Sequence, residues 1–266
     1  MLKNAARFDE SVCLLFKEHP LSVLSGKAPE RILDARSTEE KILECGITRC
    51  EYLDFASVKD YSPEKFFEEI LTKKIGADVV CCGYNYTFGK NKAGDVSLLS
   101  ELCGEKGVRL IVAQAVETDG EPVSSTRIRK CIKNGEIEKP NKMLSYPYFF
   151  VSGVEEGKKL GRELGFPTIN QYLPESVLKP KSGVYASEIT LESKRYRGLT
   201  NIGSNPTIGG DSFRSETYIF DFNGDAYGKT ARIELLSFIR EEKKFDSLEA
   251  LKSQVLSDIE RAKANV

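Results

Sequence analysis

The sequence predicts two modules of different fold class. The first, residues 1–140, is a parallel sheet flanked by helices. The second, residues 141–266, is a small antiparallel barrel or sandwich that ends in a helix. Three observations predict this. Strand-like and helix-like segments alternate as far as Gly135, the pattern of strands joined by crossover helices. After residue 146 short strand-like runs follow one another, separated by glycine or charged turns. All seven cysteines, Cys13, Cys45, Cys50, Cys81, Cys82, Cys103 and Cys131, precede residue 132. A length of 266 residues suits two ordinary domains.

In chain order, "SVCLLF" (11–16) reads as a buried strand. "STEEKILECG" (37–46) reads as a helix, with Ser37 and Glu40 as a capping box and Gly46 at its end. "CEYLDF" (50–55) is strand-like. "SPEKFFEEILTKKIG" (62–76) is a helix capped by Ser62, with Pro63 in its first turn. "DVVCCGY" (78–84) is a buried strand, "VSLLSELCGEKG" (96–107) a helix and "VRLIVAQAV" (108–116) a strand. "SSTRIRKCIKNG" (124–135) is a last helix ending in Gly135. The polar stretch "EIEKPNKMLS" (136–145) holds Pro140 and reads as the linker.

Beyond it, "YPYFFVSGV", "GVYASEITLES", "KRYRGLTNIG", "SETYIFDF" and "TARIELLSFIR" are strand-like. Asn223-Gly224 in "FNGDAYG" is a hairpin signal. The tail "DSLEALKSQVLSDIERAKANV" is an amphipathic helix. Asp246 and Glu249 can cap it, and Leu248, Leu251, Val255, Ile259 and Ala262 line one face.

Composition excludes several function classes. With 39 basic and 40 acidic residues the net charge is -1, which gives no global pull toward nucleic acid or an acidic membrane. No apolar run has membrane-spanning length, and Asp9 and Glu10 near the start rule out a secretory leader. A cytosolic protein acting on small molecules is expected. No C-x-x-C pair occurs and His19 is the one histidine, so the thiols read as reduced and mostly buried, without a zinc site.

Chemistry concentrates in "LGRELGFPTINQ" (160–171). Gly157, Gly161 and Gly165 permit close backbone approach. Thr168 and Asn170 are two apart and point the same way on an extended segment. A hydroxyl and an amide oxygen on one face suit magnesium or a phosphate oxygen, and Lys158, Lys159 and Arg162 add positive charge. A glycine-rich turn, with Thr168 and Asn170 bonding local backbone, is the plainer alternative. Glu216 in "RSETYIFDF" shares a strand face with Tyr218, Phe220 and Phe222. A carboxylate ending an apolar row is either paired, used as a base, or turned to solvent.

The blocks "GKKLGRELGFPTINQ", "GVYA" (183–186), "NIGSNPTIGG" (201–210), "ETYIFDFNGDAYGK" (216–229) and "FIREEKKFDSLEALKSQVLSDI" (238–259) together resemble the riboflavin kinase domain. They cover nearly all of residues 146–266. The resemblance implies a small antiparallel Greek-key barrel with a C-terminal helix. It implies transfer of the γ-phosphoryl group of ATP to the 5'-hydroxyl of riboflavin, giving FMN. By that resemblance Thr168 and Asn170 hold Mg2+ and the ATP phosphates, and Glu216 is the base. Gly157, Lys158, Gly161 and Arg162 form the loop over the nucleotide, and Arg240 begins a flap over the flavin. Phosphoryl transfer needs mainly positioning and charge neutralisation, which such a set can supply.

The linked bacterial family is the bifunctional riboflavin kinase and FAD synthetase. "LLFKEHP" (14–20), "CCGYNYTFGKNKAGD" (81–95) and "VSSTRIR" (123–129) are similar to its first module, which implies a partial Rossmann-like nucleotidylyltransferase domain. Ser124, Ser125, Thr126, Arg127 and Arg129 match an anion-binding motif at a helix start. An N-capped basic surface helix is the alternative. The family's glycine-rich turn with His-x-Gly-His has no counterpart here, and Tyr84-Asn85-Tyr86 stands where many members have Phe-Asp-Phe. A first βα unit is expected to be missing, through a start-site error, fragmentation or natural loss, and FMN adenylylation is expected to be weak or lost. An intact bifunctional enzyme with a mis-assigned start, and a non-catalytic flavin or nucleotide carrier, are the rival readings. His19 is read as structural.

Overall fold

The computed structural model describes residues 1–157, 161, 164–207 and 210–264. Packing divides the chain into two compact units. One comprises Met1–Pro29 and Ala35–Glu117, the other Glu30–Asp34 and Thr118–Val266. The packing boundary thus lies upstream of residue 140.

In the first unit, α1 (Leu2–Ala5) precedes β1 (Val12–Phe16) and α2 (Pro20–Ser25). Then come α3 (Ala35–Glu44), β2 (Arg49–Leu53) and α4 (Phe55–Val58). α3 begins two residues before the expected capping box, and Ser37 lies buried inside it. α5 (Pro63–Phe66) starts as expected, with Ser62 accepting from the Lys65 amide at 3.2 Å. It continues as wider π-type turns over Phe67–Lys74. β3 (Val79–Gly83), α6 (Val96–Lys106) and β4 (Arg109–Ala113) complete the unit. The parallel arrangement takes the form of two pairs, β1 with β2 and β3 with β4. Phe66, Phe67, Ile70, Leu99 and Cys103 lie buried in its core. A cavity of about 540 Å³ touches every residue of β1 and Val79 to Cys82 of β3. Successive side chains alternate between sheet faces, so a cavity touching each of them runs along the strand edges.

The thiols are less buried than expected. All seven are free, with Cys82, Cys103 and Cys131 buried and the other four half-buried. Cys13 and Cys81 stay partly open where their strands line the cavity.

The second unit opens with the short strands β5 (Glu117–Thr118) and β6 (Glu121–Pro122), α7 (Ser125–Asn134) and α8 (Glu138–Leu144). The expected linker is therefore largely helical. Pro140 is tolerated because it falls in the first turn of α8, and Ile137 and Met143 give the segment an apolar face to bury.

Six antiparallel strands follow: β7 (Tyr148–Gly153), β8 (Thr168–Tyr172), β9 (Gly183–Leu191), β10 (Lys194–Thr207), β11 (Gly210–Ile219) and β12 (Thr230–Arg240). Their order is β7-β12-β9-β10-β11-β8. The sheet curls until its edges meet. The Glu155 amide donates to Asn170 O at 2.8 Å, and Gln171 Nε2 reaches Ser152 O at 2.7 Å and Ala231 O at 2.9 Å. Tyr148, Tyr185, Ile189, Ile202 and Leu235 fill the core. Within it the Ser187, Thr200 and Thr217 hydroxyls form a chain with separations of 2.7 and 2.9 Å.

Asn223-Gly224 does not make a hairpin. It lies in the ten-residue connection from β11 to β12, strands that are not neighbours, because Phe222, Ala226 and Tyr227 of that connection pack on the core. Tight two-residue turns stand instead at Glu192-Ser193 between β9 and β10, with φ of 49° and 65°, and at Asp119-Gly120 between β5 and β6, with φ of 57° and 75°. The C-terminal helix (Leu248–Ala264) is capped by Ser247, which accepts from the Ala250 amide at 3.1 Å, in place of Asp246. Ile259 and Ala262 are buried against Val184, Leu199 and Ile239, whereas Leu248 is exposed.

Candidate active site

Strand register builds the site. On β8, Thr168 and Asn170 lie on the face opposite the buried Ile169 and Gln171. Asn170 stands opposite Glu216 on β11, and Glu216 opposite Asn201 on β10. The row continues through Val184 on β9 to Arg240 on β12. Four candidate positions, Asn170, Asn201, Glu216 and Arg240, separated by up to 70 residues of sequence, therefore lie on one line across the outer face of the curled sheet.

The glycines fit this row. A Cβ on Gly157 would lie 2.7 Å from Asn170 Oδ1, and one on Gly161 would lie 2.5 Å from Phe166 O and 3.5 Å from Thr168 Cγ2. Gly157 thus lies against the Asn170 carboxamide, and Gly161 against the Phe166 carbonyl, at distances only glycine allows. Lys158 and Arg162, expected in this loop, fall outside the described residues. Asn170 is nearly buried, yet neither its carboxamide nor the Thr168 hydroxyl has a hydrogen bond among the described residues. Two uncommitted oxygen-bearing side chains on one face fit a hard cation or a phosphate oxygen.

Glu216 is bound to Arg214, whose Nη2 donates to Oε1. Both residues lie on the same face of β11, two positions apart. Sequence reasoning missed Arg214 and Asn201, although the strand period of "RSE" places Arg214 beside Glu216. Asn201 Nδ2 donates to Glu242 Oε1 at 3.3 Å, and Glu242 lies against Gly203. Lys181 bonds Glu241 at 2.6 Å and holds that carboxyl below its ordinary range. Arg240 stands at the far end of the row, where Nε and Nη2 both lie 2.8 Å from Asp258 Oδ2 on the C-terminal helix. Asp258 is fully buried and also accepts from Gln254 Nε2 at 2.9 Å.

The Ser124–Arg129 motif forms the start of α7, in the second packing unit. The Ser124 hydroxyl caps the helix, accepting from the Arg127 amide at 3.2 Å. Arg127 Nη1 donates to Thr118 O at 2.9 Å and Glu121 O at 3.0 Å, and Arg129 Nε to Glu30 O at 2.8 Å. Both guanidiniums are engaged locally, while Ser125 and Thr126 stay exposed. His19 caps α2, with Nδ1 accepting from the Leu21 amide at 3.1 Å.

Comparison with known proteins matches both halves. The riboflavin kinase family model covers residues 144–266, and the FAD synthetase family model covers residues 2–127. The chain thus carries a riboflavin kinase domain behind an FAD synthetase domain. A bifunctional riboflavin kinase/FMN adenylyltransferase of Listeria monocytogenes is 33% identical over 260 residues, 96% of this chain and 82% of that protein. The Escherichia coli K12 protein of the same description is 32% identical over 92% of this chain and 79% of its own length. A solved structure from Streptococcus pneumoniae, described as a macrolide-efflux protein, superposes with a TM-score of 0.89 at 32% identity, covering 98% of this chain and 86% of that one. No helix among the described residues is long and apolar enough to cross a membrane. The chain belongs to the bifunctional riboflavin kinase/FMN adenylyltransferase family.

Proposed function

We propose that this chain phosphorylates riboflavin at its 5'-hydroxyl, using ATP. The observation that carries the reading is the single-face row of Thr168, Asn170 and Glu216 inside the segment matched by the riboflavin kinase family. Thr168 and Asn170 would hold Mg2+ together with the ATP phosphates. The ion would neutralise phosphate charge. Glu216 takes the proton of the riboflavin hydroxyl as its oxygen bonds the γ-phosphorus, and the bond to the departing ADP oxygen breaks. Gly157 and Gly161 let the chain close over the phosphates. Arg240, through Asp258, anchors the strand end from which a cover over the flavin would spring.

A second reading, that the same chain also adenylylates FMN to FAD, is favoured by the FAD synthetase match over residues 2–127. Against it stands the chemistry: adenylyl transfer needs cationic groups at the ATP phosphates, the sole histidine caps a helix, and Arg127 and Arg129 already bind carbonyls. Weak or absent adenylylation is the expected behaviour of this chain.

One incubation with riboflavin, ATP and Mg2+ tests both, with flavins separated by chromatography. FMN without FAD is expected. Accumulation of FAD would refute the weak-adenylylation reading. Glu216→Gln should bind riboflavin and lose FMN formation by about 10²–10⁴-fold, the range of one general base. Full turnover by that variant would remove Glu216 from the mechanism.

A further inference from the structure

We propose that Arg214 is a positioning residue that holds Glu216 Oε1, so that Oε2 is the oxygen presented to the substrate hydroxyl. The inference rests on Glu216 being the base, and it assigns a residue that the motifs leave aside.

Three observations carry it. First, Arg214 is the one described residue that bonds the Glu216 carboxylate. Asn170 and Asn201 flank Glu216 in register but make no hydrogen bond to it among the described residues, so they leave its rotamer open. A three-torsion side chain without a partner would sample several orientations and lose the alignment that proton transfer needs. Second, the two groups differ in burial. The Arg214 side chain is 18% exposed and that of Glu216 39%, so the arginine is the more buried partner of the pair. Third, no other acid stands opposite Arg214 in the sheet. Its register neighbours are Tyr172 on β8 and Gly203 on β10. Glu242, which lies over Gly203, is bonded by Asn201, and Glu155 pairs through its backbone with Asn170.

A half-exposed ion pair adds little to stability. The arrangement is therefore expected to matter to turnover and not to melting, which separates positioning from a structural role. Full-length Arg214→Gln, Arg214→Lys and Glu216→Gln are compared with the parent by turnover of riboflavin with ATP and Mg2+ and by thermal melting. Arg214→Gln should lower kcat about tenfold, the scale of one charge-assisted hydrogen bond, with KM for ATP unchanged. Arg214→Lys should recover part of kcat, since it retains charge without the fork. Parent-like kcat in Arg214→Gln, beside an inactive Glu216→Gln, overturns the proposal while leaving the base intact. A raised KM for ATP with kcat unchanged also overturns it, since Arg214 would then serve the phosphates. Full turnover by Glu216→Gln overturns both readings. Should Arg214→Gln fail to fold, the melting result itself contradicts the positioning role, and Arg214→Lys decides the kinetic one.

Discussion

Replacing Gly157 with alanine tests the close passage over Asn170 directly. The added methyl would lie 2.5 Å from Asn170 Cγ and 2.7 Å from Oδ1. Carbon atoms prefer separations of about 3.5–4.0 Å, so the carboxamide or the loop must retreat by about 1 Å. Overpacking of this kind costs about 1–3 kcal/mol. The kinetic effect should exceed the stability effect, since a displacement of about 1 Å in a positioned group can lower turnover about 10²-fold. The assay is FMN formation under saturating riboflavin with ATP and Mg2+ varied, beside thermal melting of the same preparation. Gly153→Ala is the control: nothing lies within 4 Å of its added Cβ, so both readings should match the parent. If Gly157→Ala keeps turnover within twofold of Gly153→Ala, Asn170 is not where the chemistry needs it, and the reasoning fails.

Two further outcomes are expected. Asp258→Asn removes the buried anion that holds Arg240 and should destabilise the second unit by about 3 kcal/mol in urea titration, near the lower limit for a broken buried pair because Arg240 keeps 18% of its side-chain surface; a change below about 1 kcal/mol would contradict the pairing. Burial, with a smaller contribution from Cys50 opposite, pushes the Cys13 thiol up to about 11. Both effects disfavour the thiolate, so below pH 9 alkylation of Cys13 by iodoacetamide should run about 100-fold slower than that of an ordinary thiol and keep rising past pH 9. A rate that levels off near pH 9, followed by mass spectrometry of the labelled peptide, would mean that Cys13 is solvated.

The legible parts of the fold were those that local pattern determines. Alternating segments gave the strands and helices of residues 11–135 to within a few residues, because N-caps such as Ser62 and C-terminal glycines such as Gly135 act locally. Tertiary packing hid the rest. The polar run 136–145 reads as a linker until Ile137 and Met143 find the barrel core. Asn223-Gly224 carries the stronger turn signal, yet strand order places a tight turn at Glu192-Ser193, whose neighbours pair directly. The tail's burial is set by the sheet it meets, so Leu248 stays outside while Asp258 goes in to meet Arg240. In the candidate site, strand period makes Thr168 and Asn170 co-facial from sequence alone. That they face Glu216 required the register of β8 with β11, which sequence spacing does not encode.

The hydroxyl chain inside the barrel has a bearing on that register. Ser187, Thr200 and Thr217 link β9, β10 and β11 from the side of the sheet opposite Glu216. Sliding any of the three strands by one residue would exchange inside for outside along its whole length: Thr217 would turn to water and Glu216 into the apolar interior. Three small polar side chains thus act as a detent, and the alignment of carboxylate and amide on the outer surface is kept by contacts that no substrate ever touches.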